Sequence, residues 1–326
     1  MNAVDHNNVV IFDDRGIPSI MCRFVRPKDT EEIPAVFKIG DKVADAIYIS
    51  KYPNIVIDGR AYSMPMADPT VNITFDEAVQ ACRCKGLGWH LMTAVEYEYL
   101  LNQSREKGTM PHGNTDWGKD YYHNEEQGKV SNLGRTYTGT GPVTWNHDHT
   151  PYGVSDLNGN VWEWLAGLRI KDGVIEFIPG NKAASPYCDL SKDSTEWQQA
   201  ETSKGPVRAN VECGEITITD AVAADDYEPN YDGVRIEELE VKLSEIPQVL
   251  KDLGIIPDKR AEEEGKTYVY FDATEGEYLP FRGSAFSSTS GSGPSALNLY
   301  NPRSHSNGAV GFRSAFYEVN GKLITE

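Results

Sequence analysis

Between Phe281 and Tyr317 the chain contains no Asp, Glu, Lys, Gln, Met or Trp. Gly, Ser and Asn dominate this stretch, with Phe286, Tyr300 and His305 set among them. Leu297 and Leu299 alternate with Ala296, Asn298 and Tyr300, which is the period-two pattern of a strand. One face is apolar and belongs against a core; the other, carrying Asn298 and Tyr300, faces out and is free to vary. A Gly/Ser/Asn-rich stretch alone reads as a loop. Its frame, Phe281-Arg282-Gly283 at one end and Gly311-Phe312-Arg313 at the other, sets it apart.

The rest of the chain must supply the scaffold. Its 326 residues fit one to three domains, and 39% hydrophobic with 10% aromatic residues suffices for a core. A charged fraction of 25% is ordinary and argues against global disorder. The net charge of −18 repels phosphate backbones and anionic lipid, so neither nucleic acid nor a membrane is expected as partner. No run approaches the roughly 20 apolar residues of a membrane span. Met1 to Val10 lacks a basic start followed by an apolar run, so no secretory signal is expected. Five scattered cysteines, an odd number, do not make a disulfide framework and suit a reducing compartment. Cys82-Arg83-Cys84 is half a metal motif without its second pair.

Residues 1–45 read as an N-terminal segment or small module, with a strand at Val9–Phe12 and turn chemistry at Asp13–Gly16. Ile47–Tyr52 alternates like a strand. Thr74-Phe75-Asp76-Glu77 and Thr93-Ala94-Val95-Glu96 are both capping boxes, so a helix starts at each. The first spans 75–84, with Phe75, Ala78, Val79 and Cys82 on one face; the second places Tyr97, Leu100 and Leu101 at helical spacing. Residues 105–150 read as long ordered loops. Within them His147-Asp148-His149 offers alternating metal ligands, but such loop histidines are expected to face solvent. Asn158-Gly159 is a turn signal, and the strand after it puts Trp162 and Trp164 on one face and Glu163 on the other. Residues 171–275 read as an acidic insertion. There Ile236, Leu239, Leu243 and Ile246 have helical spacing up to Pro247, and Glu228-Pro229-Asn230 matches a calcium-lectin tripeptide without a partner motif.

In order, Ile47–Tyr52, Thr74–Glu77, Gly88–Thr93 with Glu96–Tyr99, Gly159–Trp164, Phe281–Gly283 and Gly311–Arg313 resemble the formylglycine-generating-enzyme branch of the C-type lectin fold. The resemblance covers about 46–170 and 277–317. It implies an α+β, C-type-lectin-type domain over 46–317, interrupted by the insertion 171–275 and preceded by a short N-terminal segment. Phe75, Trp89, Leu100, Trp162, Trp164, Leu297, Leu299 and Phe312 are its expected core. Within that branch the tail is similar to the variable proteins of diversity-generating retroelements, in which error-prone reverse transcription at adenines randomises chosen Asn-type codons. Such codons cannot become Lys, Glu, Gln, Met or Trp, the five types missing from 281–317. The resemblance implies a variable region 281–313 with ligand-binding positions Ala285, Phe286, Ser287, Ser288, Gly291, Ser295, Asn298, Tyr300, His305 and Asn307. The structural frame it implies is Arg282, Gly283, Trp162, Trp164, Leu297, Leu299, Gly311, Phe312 and Arg313.

The expected function is non-enzymatic binding of a macromolecular ligand, a host or target cell-surface protein, with Phe286 and Tyr300 as exposed anchors. The expected setting is a virion tail or cell-surface display of a protein made in the cytoplasm, and a homo-oligomer is compatible with it. The alternative is an oxidase or other enzyme of the same fold. It is disfavoured because formylglycine-generating relatives use cysteines just before the closing Gly-Phe-Arg, whereas the last cysteine here is Cys213. No cofactor is required. A structural calcium near Asn158 and Glu163, a site the resemblance implies, is left open against the plainer reading of a turn and a hydrogen-bonded carboxylate.

Overall fold

The computed structural model describes residues 7–30, 32–224 and 226–323. In chain order the principal elements begin with β1 (Asn7–Phe12), β2 (Pro18–Val25), β3 (Ala46–Ser50), α1 (Phe75–Arg83) and α2 (Ala94–Lys107). Next come β4 (Trp162–Trp164), β5 (Leu168–Lys171), β6 (Val174–Phe177), β7 (Arg208–Glu212), β8 (Glu215–Thr219), β9 (Tyr231–Arg235) and β10 (Glu240–Lys242). The chain continues through α3 (Gln248–Asp252), β11 (Tyr268–Asp272), β12 (Glu277–Arg282), β13 (Leu297–Pro302), β14 (Val310–Phe312) and β15 (Ser314–Val319).

Both helices start where the capping chemistry puts them. Thr74 Oγ1 accepts the Glu77 amide at 3.3 Å, and the Thr74 amide donates to Glu77 at 2.9 Å. Thr93 and Glu96 repeat the exchange at 3.1 and 3.0 Å. Each cap satisfies two otherwise orphan amides and contributes about 1 kcal/mol. Phe75, Ala78, Val79 and Cys82 of α1, and Tyr97, Leu100 and Leu101 of α2, are buried as their spacing requires.

Two sheets organise the chain. In the first, β1, β2, β3 and β15 lie side by side, and β15 pairs antiparallel with β3 through Ala315↔Ile49 and Phe316↔Tyr48. The late strand thus closes against the early one, with the helices and loops between them, the α+β plan that the C-type lectin resemblance implies. Residues 7–25 are not a separate module: β2 pairs with β3 over five residues, from Met21↔Ser50 to Val25↔Ala46.

The second sheet runs β9-β11-β13-β12-β5-β6-β7-β8-β10, with β4 paired to both β12 and β14. Residues 171–275 therefore supply strands on both sides of β12 and β13 instead of folding apart. β7 and β8 curl back to lie against β9. Their Val211, Ile216 and Ile218 share one core with Val234, Val269, Phe271, Leu297 and Leu299. The helical spacing of Ile236 to Ile246 does not yield a helix. Residues 236–238 form one 3-10 turn, and β10 runs parallel to β8. Pro247 then caps the start of α3, so a proline marks a helix start instead of an interruption. The backbone hydrogen bonds on offer along β8 outweigh a local apolar period.

Candidate functional site

The C-terminal frame is fixed by two buried arginines. Arg313 donates to both Glu163 oxygens at 2.9 and 2.7 Å, and to the carbonyls of Ser50, Lys51 and Ser155 at 2.7 to 2.9 Å. Neither charged side chain is more than 2% exposed. This one guanidinium ties β14–β15 to β4, to the end of β3 and to the 155 loop. Arg282 pairs with Glu98 of α2 at 3.1 Å and lies over the Tyr97 ring. Glu98 also pairs with Arg105, which reaches Glu264 at 2.8 Å, and Ser295 donates to the same carboxylate. A run of alternating charges thus links β12, α2, the insertion and the C-terminal loop. Gly283, with φ +91°, is needed as well, since a Cβ there would lie 2.6 Å from the Leu157 carbonyl.

Between these anchors the chain is laid on the 113–118 loop and on Asn160. Phe286 N donates to Asn160 O at 3.2 Å, Trp117 N to Phe286 O at 2.7 Å, and Thr289 N to Thr115 O at 2.9 Å. The structure sorts the ten expected ligand-binding positions into two groups. Ser287 and Asn307 are exposed, and Ser288, Gly291, Tyr300 and His305 are half-buried, so these six reach the surface. Ala285, Phe286, Ser295 and Asn298 are buried. The expectation of Phe286 as an exposed anchor is therefore corrected. It is 7% exposed, with its ring edge-to-face against Trp117 at 4.9 Å. Asn298 does sit on the face opposite Leu297 and Leu299, yet neighbouring side chains cover it, and it accepts from Asn301 at 2.8 Å. Burial lowers the pKa of His305, whose ring stacks on Phe281.

Of the expected core, Phe75, Trp89, Leu100, Trp164, Leu297, Leu299 and Phe312 are buried. Trp162 is the exception, half-exposed beside Phe281. His147 and Asp148 are buried, against the solvent-facing expectation, because His147 Nδ1 accepts the Val154 amide and Asp148 accepts from Thr150. Among the described residues, no group of three or more His, Cys, Asp or Glu side chains could hold a metal. Calcium at Asn158 and Glu163 does not fit either. Both Glu163 oxygens are taken by Arg313, and Asn158 is engaged by Pro111 O and Ser284 Oγ.

Several surface residues carried no signal in the sequence reading. Trp117, 57% exposed, and Tyr122, whose hydroxyl donates to Ser290 O at 2.8 Å, flank the C-terminal loop. A cavity of about 310 Å³ lies beside them, lined by Tyr122, Ser292 and the stacked His112 and His123 rings. The cysteines offer no assembled redox site. All five are free, and burial pushes the Cys22 thiol up to about 12 and the Cys188 thiol up to about 11. A thiol so raised is not a nucleophile near neutral pH.

Residues 51–207, just under half of the chain, match the family model of the sulfatase-modifying factor enzyme 1-like domain. The match agrees with the formylglycine-generating-enzyme branch that the sequence motifs resemble. The mouse (Mus musculus) formylglycine-generating enzyme is 36% identical over 105 residues, which is 30% of this chain and 27% of the relative's length. The chain thus spans about a quarter of that curated relative. Solved structures similar to it include the Major Tropism Determinant U1 variant, 12% identical, covering 93% of this chain and 59% of that one at a TM-score of 0.32. Treponema denticola variable protein 1 is 11% identical, covering 95% of this chain and 98% of that one at a TM-score of 0.37. Structural likenesses this low carry no weight for fold or function. Among the described residues, no helix is long and apolar enough to cross a membrane.

Proposed function

We propose that the chain is a non-enzymatic binding protein. In this reading, residues 281–313 present a surface, diversified by a retroelement, to a protein on a host or target cell. The observation that carries it is the contrast within one segment. Arg282 and Arg313 are locked into buried ion pairs, whereas Ser287, Ser288, Gly291, Tyr300, His305 and Asn307 reach the surface without contributing to that lock. A rigid frame holding small polar and aromatic side chains at the surface resembles a paratope: aromatics supply contact area at low entropic cost, and small residues adapt. Display on a virion tail or a cell surface is the setting this function requires.

Sequencing the source locus and sibling copies of codons 281–313 tests the reading. The expected result is a nearby non-coding near-copy differing almost only at adenines, with sibling variation at the six surface positions. Invariant siblings and no near-copy refute it. The family match over 51–207 favours a second reading, an oxidase acting on a substrate cysteine. Formation of an aldehyde, with release of the thiol sulfur, in a cysteine-containing peptide by the copper(I)-loaded chain supplied with dioxygen and a thiol reductant decides for it.

A further inference from the structure

The insertion does more than extend the sheet. In β9 and β11 the pairs Tyr231↔Asp272, Gly233↔Tyr270 and Arg235↔Tyr268 put Tyr231, Tyr268 and Tyr270 on one face. β11 runs parallel to β13 with Tyr270 beside Asn298, so this is also the face of Tyr300. The rings meet there. Tyr231 stacks with Tyr300 at 6.3 Å and 16°, Tyr268 with Tyr270 at 5.8 Å and 27°, and Tyr270 lies 5.6 Å from Tyr300. Two glycines let the rings lie down. A Cβ on Gly233 would stand 2.2 Å from the Tyr270 ring, and one on Gly291 would stand 2.8 Å from Tyr268. Tyr231 is 61% exposed, and the other three are half-buried.

The rim of this face is acidic. Residues 220–275 carry 16 carboxylates against 6 basic side chains, more than half of the chain's surplus of 18. Exposed Asp226, Glu228 and Glu275 flank the end of β9 and β11 that carries Tyr231. Exposed Glu237, Glu238, Glu262 and Glu263 flank the other end, where Lys266 is a base and Arg235, opposite Tyr268 on the tyrosine face, pairs with Glu237 at 3.8 Å. Aromatic faces carry negative quadrupole potential, and a negative rim adds to it. The combination attracts a cation and repels phosphate.

We infer that Tyr231, Tyr268, Tyr270 and Tyr300 form an aromatic shelf, three-quarters of it supplied by the insertion, that takes Lys or Arg side chains of the partner protein. This rests on the C-terminal binding surface proposed above and names the chemistry of what it meets. Tyr231, Tyr268 and Tyr270 are the fixed part of the shelf; Tyr300 belongs to the variable segment, and Ser287 and Asn307 vary beside it.

The test uses the full chain and fluorescein-labelled hexa-arginine amide, followed by anisotropy at about 150 mM salt, where distant charges are screened. The expected result is binding that Tyr231→Ala with Tyr270→Ala weakens about ten-fold and that the two Phe replacements preserve. Gly233→Ala keeps every tyrosine but displaces the Tyr270 ring, and is expected to weaken binding in a chain that circular dichroism shows still folded. Equal binding by the double Ala variant means bulk charge only and overturns the shelf, as does maltohexaose displacing the peptide, which assigns the face to sugar. Either failure leaves sibling variation intact. Invariant siblings, conversely, overturn the C-terminal reading without changing the peptide result.

Discussion

Replacing Glu163 by Gln isolates the interaction on which the C-terminal frame depends. The substitution keeps the side chain's shape but removes its charge, leaving the Arg313 guanidinium with three backbone carbonyls and no anion at 0% exposure. One Glu163 oxygen also becomes an NH2 group facing an arginine N–H, so a charge-assisted bond of 2.7 to 2.9 Å is lost and two donors confront each other. Removing one partner of a buried pair costs about 3–5 kcal/mol. For a chain of this size that lowers the melting temperature on the order of 10 °C. Urea unfolding followed by circular dichroism measures it. Asp258→Asn is the control: it removes the same charge from the exposed Lys251–Asp258 pair and is expected to cost under about 1 kcal/mol. If the Glu163 variant unfolds at the same urea concentration as the control, the pair is not what holds the last strands, and the frame argument fails.

Other expectations follow from the same burial pattern. Asp156 is buried, which pushes its pKa up from 3.8 to about 6, so between those values the folded chain holds a proton the unfolded chain has lost. Stability from this group therefore falls as pH rises through that window, by about 3 kcal/mol once complete. Asp156→Asn, which keeps an acceptor for Gly139 and tolerates the left-handed φ of +60°, should be more stable than the parent at pH 7.5 and equal to it near pH 4 in parallel melts. Trp164→Ala should cost about 3–5 kcal/mol in urea unfolding, and Trp162→Ala distinctly less, because only Trp164 is fully buried. Phe286→Ala should destabilise by about 3 kcal/mol in the same assay, and Tyr300→Ala, which removes a half-buried ring with two ring contacts, by distinctly less.

What could be read in advance was local or periodic. Both capping boxes are complete within four residues, so nothing distant could override them. The alternation of Leu297 and Leu299 is likewise written in neighbouring positions, and β13 keeps it. The partners of the two frame arginines were not readable, because Glu98 lies 184 residues from Arg282 and Glu163 lies 150 residues from Arg313. Burial of Phe286 and of His147 has the same origin. Each is covered by a loop that only the folded chain brings over it, Trp117 in one case and the Val154 turn in the other. The helical spacing of Ile236 to Ile246 shows the converse. A helical apolar period is only a local preference, and it yields when an adjacent strand offers backbone bonds.

On the function proposed above, the burial pattern also limits what diversification could change. Ser295 donates to Glu264 inside the Arg282–Glu98–Arg105–Glu264 run, and Ala285 and Asn298 are buried. A large side chain at any of the three displaces a buried partner, at a cost of typically 1–3 kcal/mol for overpacking alone. Such variants compete against folding before they compete for a ligand. In the proposed reading, free variation is thus confined to the surface positions other than Gly291, where a Cβ would stand 2.8 Å from Tyr268. A few exposed side chains bind a large partner more tightly with fixed area beside them. The insertion provides that area through β9 and β11, whose tyrosines meet Tyr300 on one continuous face. If the proposed reading holds, the acidic strands that interrupt the resemblance in sequence are, in the folded chain, the part that widens the binding surface of residues 281–313.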